Sequence, residues 1–196
     1  MGGLLALWAR SLLRISQFSP RAWGASAALT AILFAVLAWR LGIGFDLLAY
    51  SYLAAVSVPL SMVDLAEQRL PSVVVLPSYL VLGATFAIEA NRSSNHVALV
   101  RALVAMAVLA AAYLVLALGL GGLGAGDVKF AGLLGLALGW LSWGAVLAGT
   151  SAGWLLAVVV RVVLRLARRV DPDEPLPLGP YLAVGALMTI AAGPPA

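Results

Sequence analysis

The chain has 196 residues, of which 63% are hydrophobic and 10% are charged, and its mean hydropathy is +1.06. Soluble domains carry about 25% charged residues, so this composition places the chain in a membrane. It has no cysteine and a single histidine, His96. The absence of cysteine excludes disulfide frameworks and thiolate metal sites, and one histidine argues against a zinc site or a Ser-His triad. We therefore expect no metal, no cofactor and no nucleic-acid partner.

The first 20 residues are too polar to form a membrane span. Apolar residues recur at helical spacing between Leu4 and Ile15, with Arg10 and Arg14 among them. This pattern predicts a basic amphipathic helix in the lipid headgroup region, which Pro20 would end. A frayed tail is an equally good interpretation of residues 1–20.

Seven apolar segments follow, and a membrane-spanning helix needs roughly 20 apolar residues. The segments lie near residues 24–41, 45–64, 72–90, 97–118, 127–141, 143–165 and 179–193. The fifth and seventh are short, so these two are expected to be tilted, kinked or partly packed inside the bundle. The predicted fold is all-α: a polytopic membrane helical bundle with six to seven spans, forming a single domain over residues 21–196.

The positive charges indicate an orientation. With the N-terminus in the cytoplasm and alternating spans, three arginines fall outside: Arg40, Arg92 and Arg101. Nine basic residues fall inside: Arg10, Arg14, Arg21, Arg69, Lys129, Arg161, Arg165, Arg168 and Arg169. This positive-inside bias predicts a multi-pass protein of the cell membrane with a cytoplasmic N-terminus.

Two aspartates stand at the ends of apolar segments. Asp64 ends the second segment and Asp127 begins the fifth. Two spans separate them, and an even number of crossings returns the chain to the same face. Both carboxylates are therefore expected at the cytoplasmic face, at similar depth. A carboxylate near hydrocarbon is costly and usually faces the bundle interior.

A pair of carboxylates can hydrolyse an amide bond. Because two facing carboxylates repel each other, one of them tends to keep a proton. The ionised member can then take a proton from water, while the protonated member hydrogen-bonds the scissile carbonyl. The sequence does not assign these two roles between Asp64 and Asp127, since coupled groups titrate as a pair.

Each aspartate also has a structural interpretation when taken alone. Asp127 could cap a helix N-terminus, where aspartate is favoured, and Asp64 could belong to ordinary interfacial chemistry.

Before Asp127, Gly124 and Gly126 would let the backbone adopt positive φ and approach another chain closely. Lys129, the only lysine, could act on a nearby carboxylate, bind a headgroup or snorkel to the interface. Further on, the spacings Gly135-x-x-x-Gly139 and Gly149-x-x-x-Gly153 predict close helix packing.

Three motifs, in this order, resemble those of the type IV prepilin peptidases among the GxGD membrane aspartyl proteases. The first is Asp64-Leu65-Ala66-Glu67-Gln68-Arg69-Leu70-Pro71, the second is Gly124-Ala125-Gly126-Asp127-Val128-Lys129, and the third is Pro177-Leu178-Gly179-Pro180-Tyr181-Leu182. The resemblance covers about residues 45–190. It implies that Asp64 and Asp127 are the catalytic pair. It also implies supporting or substrate-binding roles for Gly124, Gly126, Lys129, Arg69, Pro71, Gly179 and Pro180.

By this resemblance, the substrates are prepilins or pilin-like proteins with an N-terminal hydrophobic helix, cut after a short basic leader at the cytoplasmic face. Ser72 is a departure, since the family often has asparagine there. Large members of the family also carry a cysteine-rich cytoplasmic region linked to N-methylation. The chain has no cysteine and no long insertion between its first two segments, so methyltransferase activity is not expected.

Two other functions fit the same residues. A small ion-coupled or proton-coupled transporter could use the two aspartates as an ion site, although transport sites usually lie near the midplane. A non-catalytic component of a pilus or secretion assembly could use them as helix caps.

Overall fold

The computed structural model describes residues 20–120, 123–167 and 177–193, and within these ranges it is helical. The helices are α1 (Pro20–Leu41), α2 (Phe45–Glu67), α3 (Ser72–Ser93), α4 (His96–Leu120), α5 (Ala125–Leu141), α6 (Trp143–Leu166) and α7 (Gly179–Ala192). Each of the seven predicted apolar segments is one of these helices, and their ends differ by up to four residues. The all-α prediction is confirmed.

The first helix begins at Pro20, where its predicted segment began at residue 24. Proline is well accommodated in a first helical turn, since its fixed φ is already helical and its missing N–H has no intrahelical partner there. The predicted amphipathic helix of residues 1–20 lies, apart from Pro20, outside the described residues. Residues 168–176, which precede α7 in the chain, also lie outside them.

Four of the described helices are long and apolar enough to cross a membrane by length and composition: α2, α3, α4 and α6. Large apolar side chains such as Val100, Val108 and Leu118 are exposed along the outer face of α4, as a lipid-facing surface requires. Helices α5 and α7 are short, with 17 and 14 residues, as predicted for the fifth and seventh segments. The chain is therefore a multi-pass helical membrane protein.

Helix α5 occupies the centre of the bundle. Every residue from Phe130 to Trp140 is buried, and the helix contacts α3, α4, α6 and α7. A helix that is apolar on all sides is one that other helices surround. The Trp140 ring stacks on Phe86 of α3 with centroids 4.8 Å apart. Asp127, in the first turn of α5, is thus attached to the best-packed helix of the protein.

Glycines allow the helices to approach closely, as the two Gly-x-x-x-Gly spacings predicted. A Cβ atom at Gly135 would lie 2.6 Å from the carbonyl oxygen of Ala105 on α4. A Cβ atom at Gly185 of α7 would lie 2.4 Å from the backbone nitrogen of Gly153 on α6. Real Cβ atoms do not come this close, so α5 against α4 and α7 against α6 pack backbone to backbone.

The C-terminal ends of the two short helices are held by arginines from other helices. Arg101 of α4 donates to the carbonyl oxygens of Gly139, Trp140 and Leu141, at 2.7, 2.6 and 2.9 Å. Arg40 of α1 donates to the carbonyl oxygens of Ala191 and Gly193, at 2.8 and 2.6 Å. These bonds satisfy carbonyls that have no partner within their own helix.

Candidate active site

Asp64 lies in the last turn of α2 and is buried, with 3% of its surface exposed. Its Oδ2 accepts a hydrogen bond of 2.9 Å from the backbone N–H of Gly179, the first residue of α7. A side chain of α2 thus caps the N-terminus of α7, where an N–H has no intrahelical partner. A Cβ atom at Gly179 would lie 2.7 Å from the same Oδ2, so glycine is the residue that lets the carboxylate approach.

Asp127 is the third residue of α5. Its Oδ2 accepts a hydrogen bond of 3.0 Å from the backbone N–H of Gly124, directly before the helix. This bond is one half of a capping box, whose other half needs a side-chain oxygen that glycine lacks. Its Oδ1 is buried and has no hydrogen-bond partner among the described residues. The capping interpretation of Asp127 therefore accounts for only one of its two oxygens.

Leu70 connects the two helix N-termini. This buried residue of the α2–α3 loop would lie 2.8 Å, at its Cβ, from a Cβ atom built on Gly126. Its Cδ1 would lie 3.4 Å from a Cβ atom on Gly179. The loop that follows Asp64 therefore packs against the start of α5 and the start of α7. No role was predicted for Leu70 from the sequence, although the Leu70-Pro71 pair at the end of the first motif is the signal that could have found it.

The two carboxylates lie at the same end of the bundle and interact electrostatically. Each accepts a hydrogen bond from a helix N-terminus, Asp64 from that of α7 and Asp127 from that of α5, and this positive end of a helix dipole favours a negative charge. The carboxylate of Asp64 interacts electrostatically with the hydroxyl of Tyr181 on α7. The carboxylate of Asp127 does so with the hydroxyl of Tyr113 on α4. Tyr181 belongs to the third motif, where it was given no role of its own, and Tyr113 lies outside the three motifs.

Lys129 links two helices beside this site. Its Nζ donates a hydrogen bond of 2.8 Å to the Oγ of Ser72, in the first turn of α3. The hydroxyl of Tyr79 donates to the backbone carbonyl of Lys129. Ser72, the departure from the family pattern, therefore has a defined partner, and the side chain of Lys129 is used between helices rather than only at the interface.

The remaining predicted support residues lie around the two carboxylates in different ways. Gly124 and Gly126 do not adopt positive φ, and Gly42 is the glycine in the described ranges that does. Their expected conformational freedom is thus not used, whereas close approach is used at Gly126. Arg69 is exposed on the α2–α3 loop. Pro71 directly precedes α3 and Pro180 lies in the first turn of α7, the ordinary positions of proline beside helices.

No group of three or more metal-ligating side chains occurs among the residues that the structure describes.

The fold and the site define a class: a multi-pass helical membrane protein in which two aspartates approach helix N-termini at one end of the bundle. The model of the type IV leader peptidase family matches residues 50–166. The chain belongs to this family.

Curated relatives agree with this assignment. A protein of Aeromonas hydrophila named prepilin leader peptidase/N-methyltransferase is 33% identical over 167 residues, which are 84% of this chain and 56% of the relative. One of the same name from Pseudomonas aeruginosa is 28% identical over 166 residues, again 84% of this chain and 56% of the relative. The chain spans little more than half the length of these relatives. No solved structure matches it.

Proposed function

We propose that the chain is a membrane-embedded aspartyl endopeptidase that removes the short basic leader of prepilins or pilin-like proteins, with Asp64 and Asp127 as its catalytic pair. The family and the names of the relatives support the substrate class. The observation that carries the catalytic assignment is the buried Oδ1 of Asp127. It has no partner in the described residues, while Oδ2 of the same group is fixed by the helix N-terminus.

The proposed chemistry uses one aspartate as the base and one as the acid. An ionised carboxylate takes a proton from water as the water attacks the scissile carbonyl carbon. The protonated carboxyl donates a hydrogen bond to the carbonyl oxygen and stabilises the charge that develops there. The proton taken from water then passes to the nitrogen of the leaving amine as the carbon–nitrogen bond breaks. The backbone N–H groups of Gly179 and Gly124 orient one oxygen of each carboxyl, which leaves the other oxygen of each for reaction.

We also propose that this end of the bundle faces the cytoplasm, in the cell membrane. The positive-inside charge pattern supports this orientation. A substrate with a hydrophobic N-terminal helix would lie in the bilayer with its basic leader at the same face. Its scissile bond would then reach the depth of the two aspartates without leaving the membrane surface.

A second candidate function has an observation in its favour. Both aspartates accept hydrogen bonds from helix N-termini, as they would in a non-catalytic assembly component. Asparagine separates the two possibilities because it caps helices about as well as aspartate but cannot act as a general base.

The test is co-expression with a pilin-like protein, followed by N-terminal sequencing and intact mass of the product. We expect D64N and D127N to accumulate in the membrane and each to lose cleavage by at least about a thousandfold, because a catalytic carboxylate is removed while the cap is kept. D46N is the matched control, since Asp46 accepts a bond from Trp140 at the opposite end of the bundle. Cleavage retained by D64N or D127N would reject the assignment. The same mass measurement tests the expectation that the product carries no N-methyl group.

A further inference from the structure

Tyr113 is a buried tyrosine that the proposed mechanism does not yet use. It lies on α4 with 2% of its surface exposed. The Nε1 of Trp154 on α6 donates a hydrogen bond of 2.8 Å to its hydroxyl oxygen, and the two rings are 6.2 Å apart. An indole N–H can only donate, so the phenol oxygen is the acceptor in this bond. The hydroxyl proton of Tyr113 is therefore directed elsewhere, and the described residues provide no acceptor for it.

The packing of α4 against α5 places Tyr113 at the depth of Asp127. The two helices run antiparallel, and a Cβ atom at Gly132 of α5 would lie 3.2 Å from the Cβ of Ala110 on α4. Tyr113 comes about one helical turn after Ala110. Asp127 comes a little more than one turn before Gly132. Because the helices are antiparallel, both steps lead toward the same end of the bundle. With a rise of about 1.5 Å per residue, both residues reach nearly the same level of the bundle.

Tyr113 also faces the side of α5 that carries Asp127. It lines a small pocket between α4, α5, α6 and α7, together with Ala131 and Leu182. Ala131 is four residues after Asp127, and residues four apart lie on the same side of a helix. Asp127 is also within electrostatic range of Tyr113. Within the described residues, a buried hydroxyl proton without an acceptor and a buried carboxylate oxygen without a donor thus occur on the same side of α5, at nearly the same depth.

We propose that Tyr113 is a positioning residue for Asp127: oriented by Trp154, its hydroxyl donates a hydrogen bond to one water, which donates in turn to Oδ1 of Asp127. The bond holds the carboxylate in its ionised form until a substrate and its attacking water are in place. This inference rests on the proposed function, because it assigns Asp127 the part of the base. Buried polar groups that remain unpaired are costly, and this pairing satisfies two of them.

Other polar groups around Asp127 act differently on it. Asp64 of α2 repels a negative charge there. Lys129, on the same helix as Asp127, has its ammonium bonded to Ser72 of α3. Tyr181 of α7 interacts with Asp64. Among the side chains in the described structure, Tyr113 is therefore the neighbour that can add to the backbone N–H of Gly124 in favouring the ionised form of Asp127.

The experiment compares wild type, Y113F, W154F and Y52F with a pilin-like substrate in detergent, as rate against substrate concentration and pH. Loss of a donor to an ionised carboxylate lets it take up a proton more easily. We therefore expect the acidic limb of the pH–rate profile of Y113F to move to higher pH by about one unit. Its kcat should fall about tenfold with KM unchanged. W154F removes the donor that orients the Tyr113 hydroxyl. We expect its kcat to fall about threefold and its acidic limb to move in the same direction as that of Y113F, by a smaller amount.

Y52F controls for the loss of a hydrogen-bonded, half-buried tyrosine hydroxyl away from the two aspartates. The hydroxyl of Tyr52 pairs with Ser78 at 3.2 Å, three helical turns before Asp64 on α2, and its loss should leave the acidic limb in place. An acidic limb that is the same in Y113F as in Y52F would overturn the proposal, even if both variants are slower. If Y113F does not accumulate, the acidic limb of W154F decides in the same way. A wild-type protein that cleaves no pilin-like substrate rejects the proposed function instead.

Discussion

The two ends of the short helices α5 and α7 are held by opposite charges. At the N-terminal end, carboxylates meet backbone N–H groups: Asp127 at the start of α5 and Asp64 at the start of α7. At the C-terminal end, guanidinium groups meet backbone carbonyls: Arg101 at the end of α5 and Arg40 at the end of α7. Each pair of charges matches the sign of the helix dipole at its end.

The difference between the ends lies in how completely they are satisfied. The arginines use two or three of their N–H groups on carbonyl oxygens, which is the ordinary solution for helix ends that lie away from water. At the other end, Asp127 keeps one buried oxygen without a partner in the described ranges. One end is a structural anchor, and the other leaves a carboxylate oxygen able to bind water, which is what a reactive site requires.

Helix length explains why such anchors are needed. At about 1.5 Å per residue, the 17 residues of α5 and the 14 residues of α7 reach about 25 and 21 Å, against a hydrocarbon thickness of about 30 Å. A helix of this length that begins at one membrane face ends before it reaches the other. Its last carbonyls then lie inside the bundle, away from bulk water. Side chains from the longer α1 and α4 therefore supply the donors.

Among changes that keep both aspartates, the largest expected effect at the carboxylate end comes from Gly179→Ala. The added methyl group would meet Oδ2 of Asp64 at 2.7 Å, so α7 or the carboxylate has to move. We expect cleavage to fall at least about a hundredfold, because a displacement near 1 Å is enough for such a loss. Gly83→Ala is the matched control, since a Cβ atom there has nothing within 4 Å. Full cleavage by the Gly179 variant would show that the Asp64–Gly179 contact is not needed for activity.

An intermediate effect is expected at the opposite end, for Arg101→Ala. This change leaves three carbonyls at the end of α5 without their donor, and we expect a loss of about 2 kcal/mol in stability, seen as a lower melting temperature in detergent. Arg101→Lys should recover part of it, because an ammonium cannot reproduce the fork of a guanidinium. The control is Arg92→Ala at an exposed arginine. Equal melting temperatures for the two alanine variants would contradict an anchoring role for Arg101.

The smallest effect is expected for Ser72→Ala, beside the carboxylates. It removes the acceptor of the Lys129 ammonium, and we expect about 1 kcal/mol of lost stability and a fall in cleavage of only a few fold. Ser72→Asn, which keeps an acceptor, should behave like the wild type. A loss as large as that of Gly179→Ala would mean that Lys129 takes part in the reaction more directly than its present contact indicates.

The sequence was sufficient to predict the helices and to place the two aspartates at one end of the bundle. Apolar runs of known length predict helices in a membrane, and parity of crossings puts Asp64 and Asp127 at one end. It was not sufficient for Leu70, Tyr113 or the arginine anchors, because each depends on which helices are neighbours and in what register. Nothing in the spacing of Arg40 or Arg101 along the chain indicates a carbonyl partner on a distant helix.

The amino-acid sequence alone determined that the protein is a helical membrane bundle, that two carboxylates share one face, and that glycines stand at or just before the start of the fifth and seventh apolar segments. These properties follow from local hydrophobicity and from counting. Only the tertiary structure decided what the glycines do: Gly126 admits the Leu70 loop, and Gly179 admits the carboxylate of Asp64. The reason is physical, since close approach depends on the separation of atoms far apart in the chain, and packing alone sets that separation.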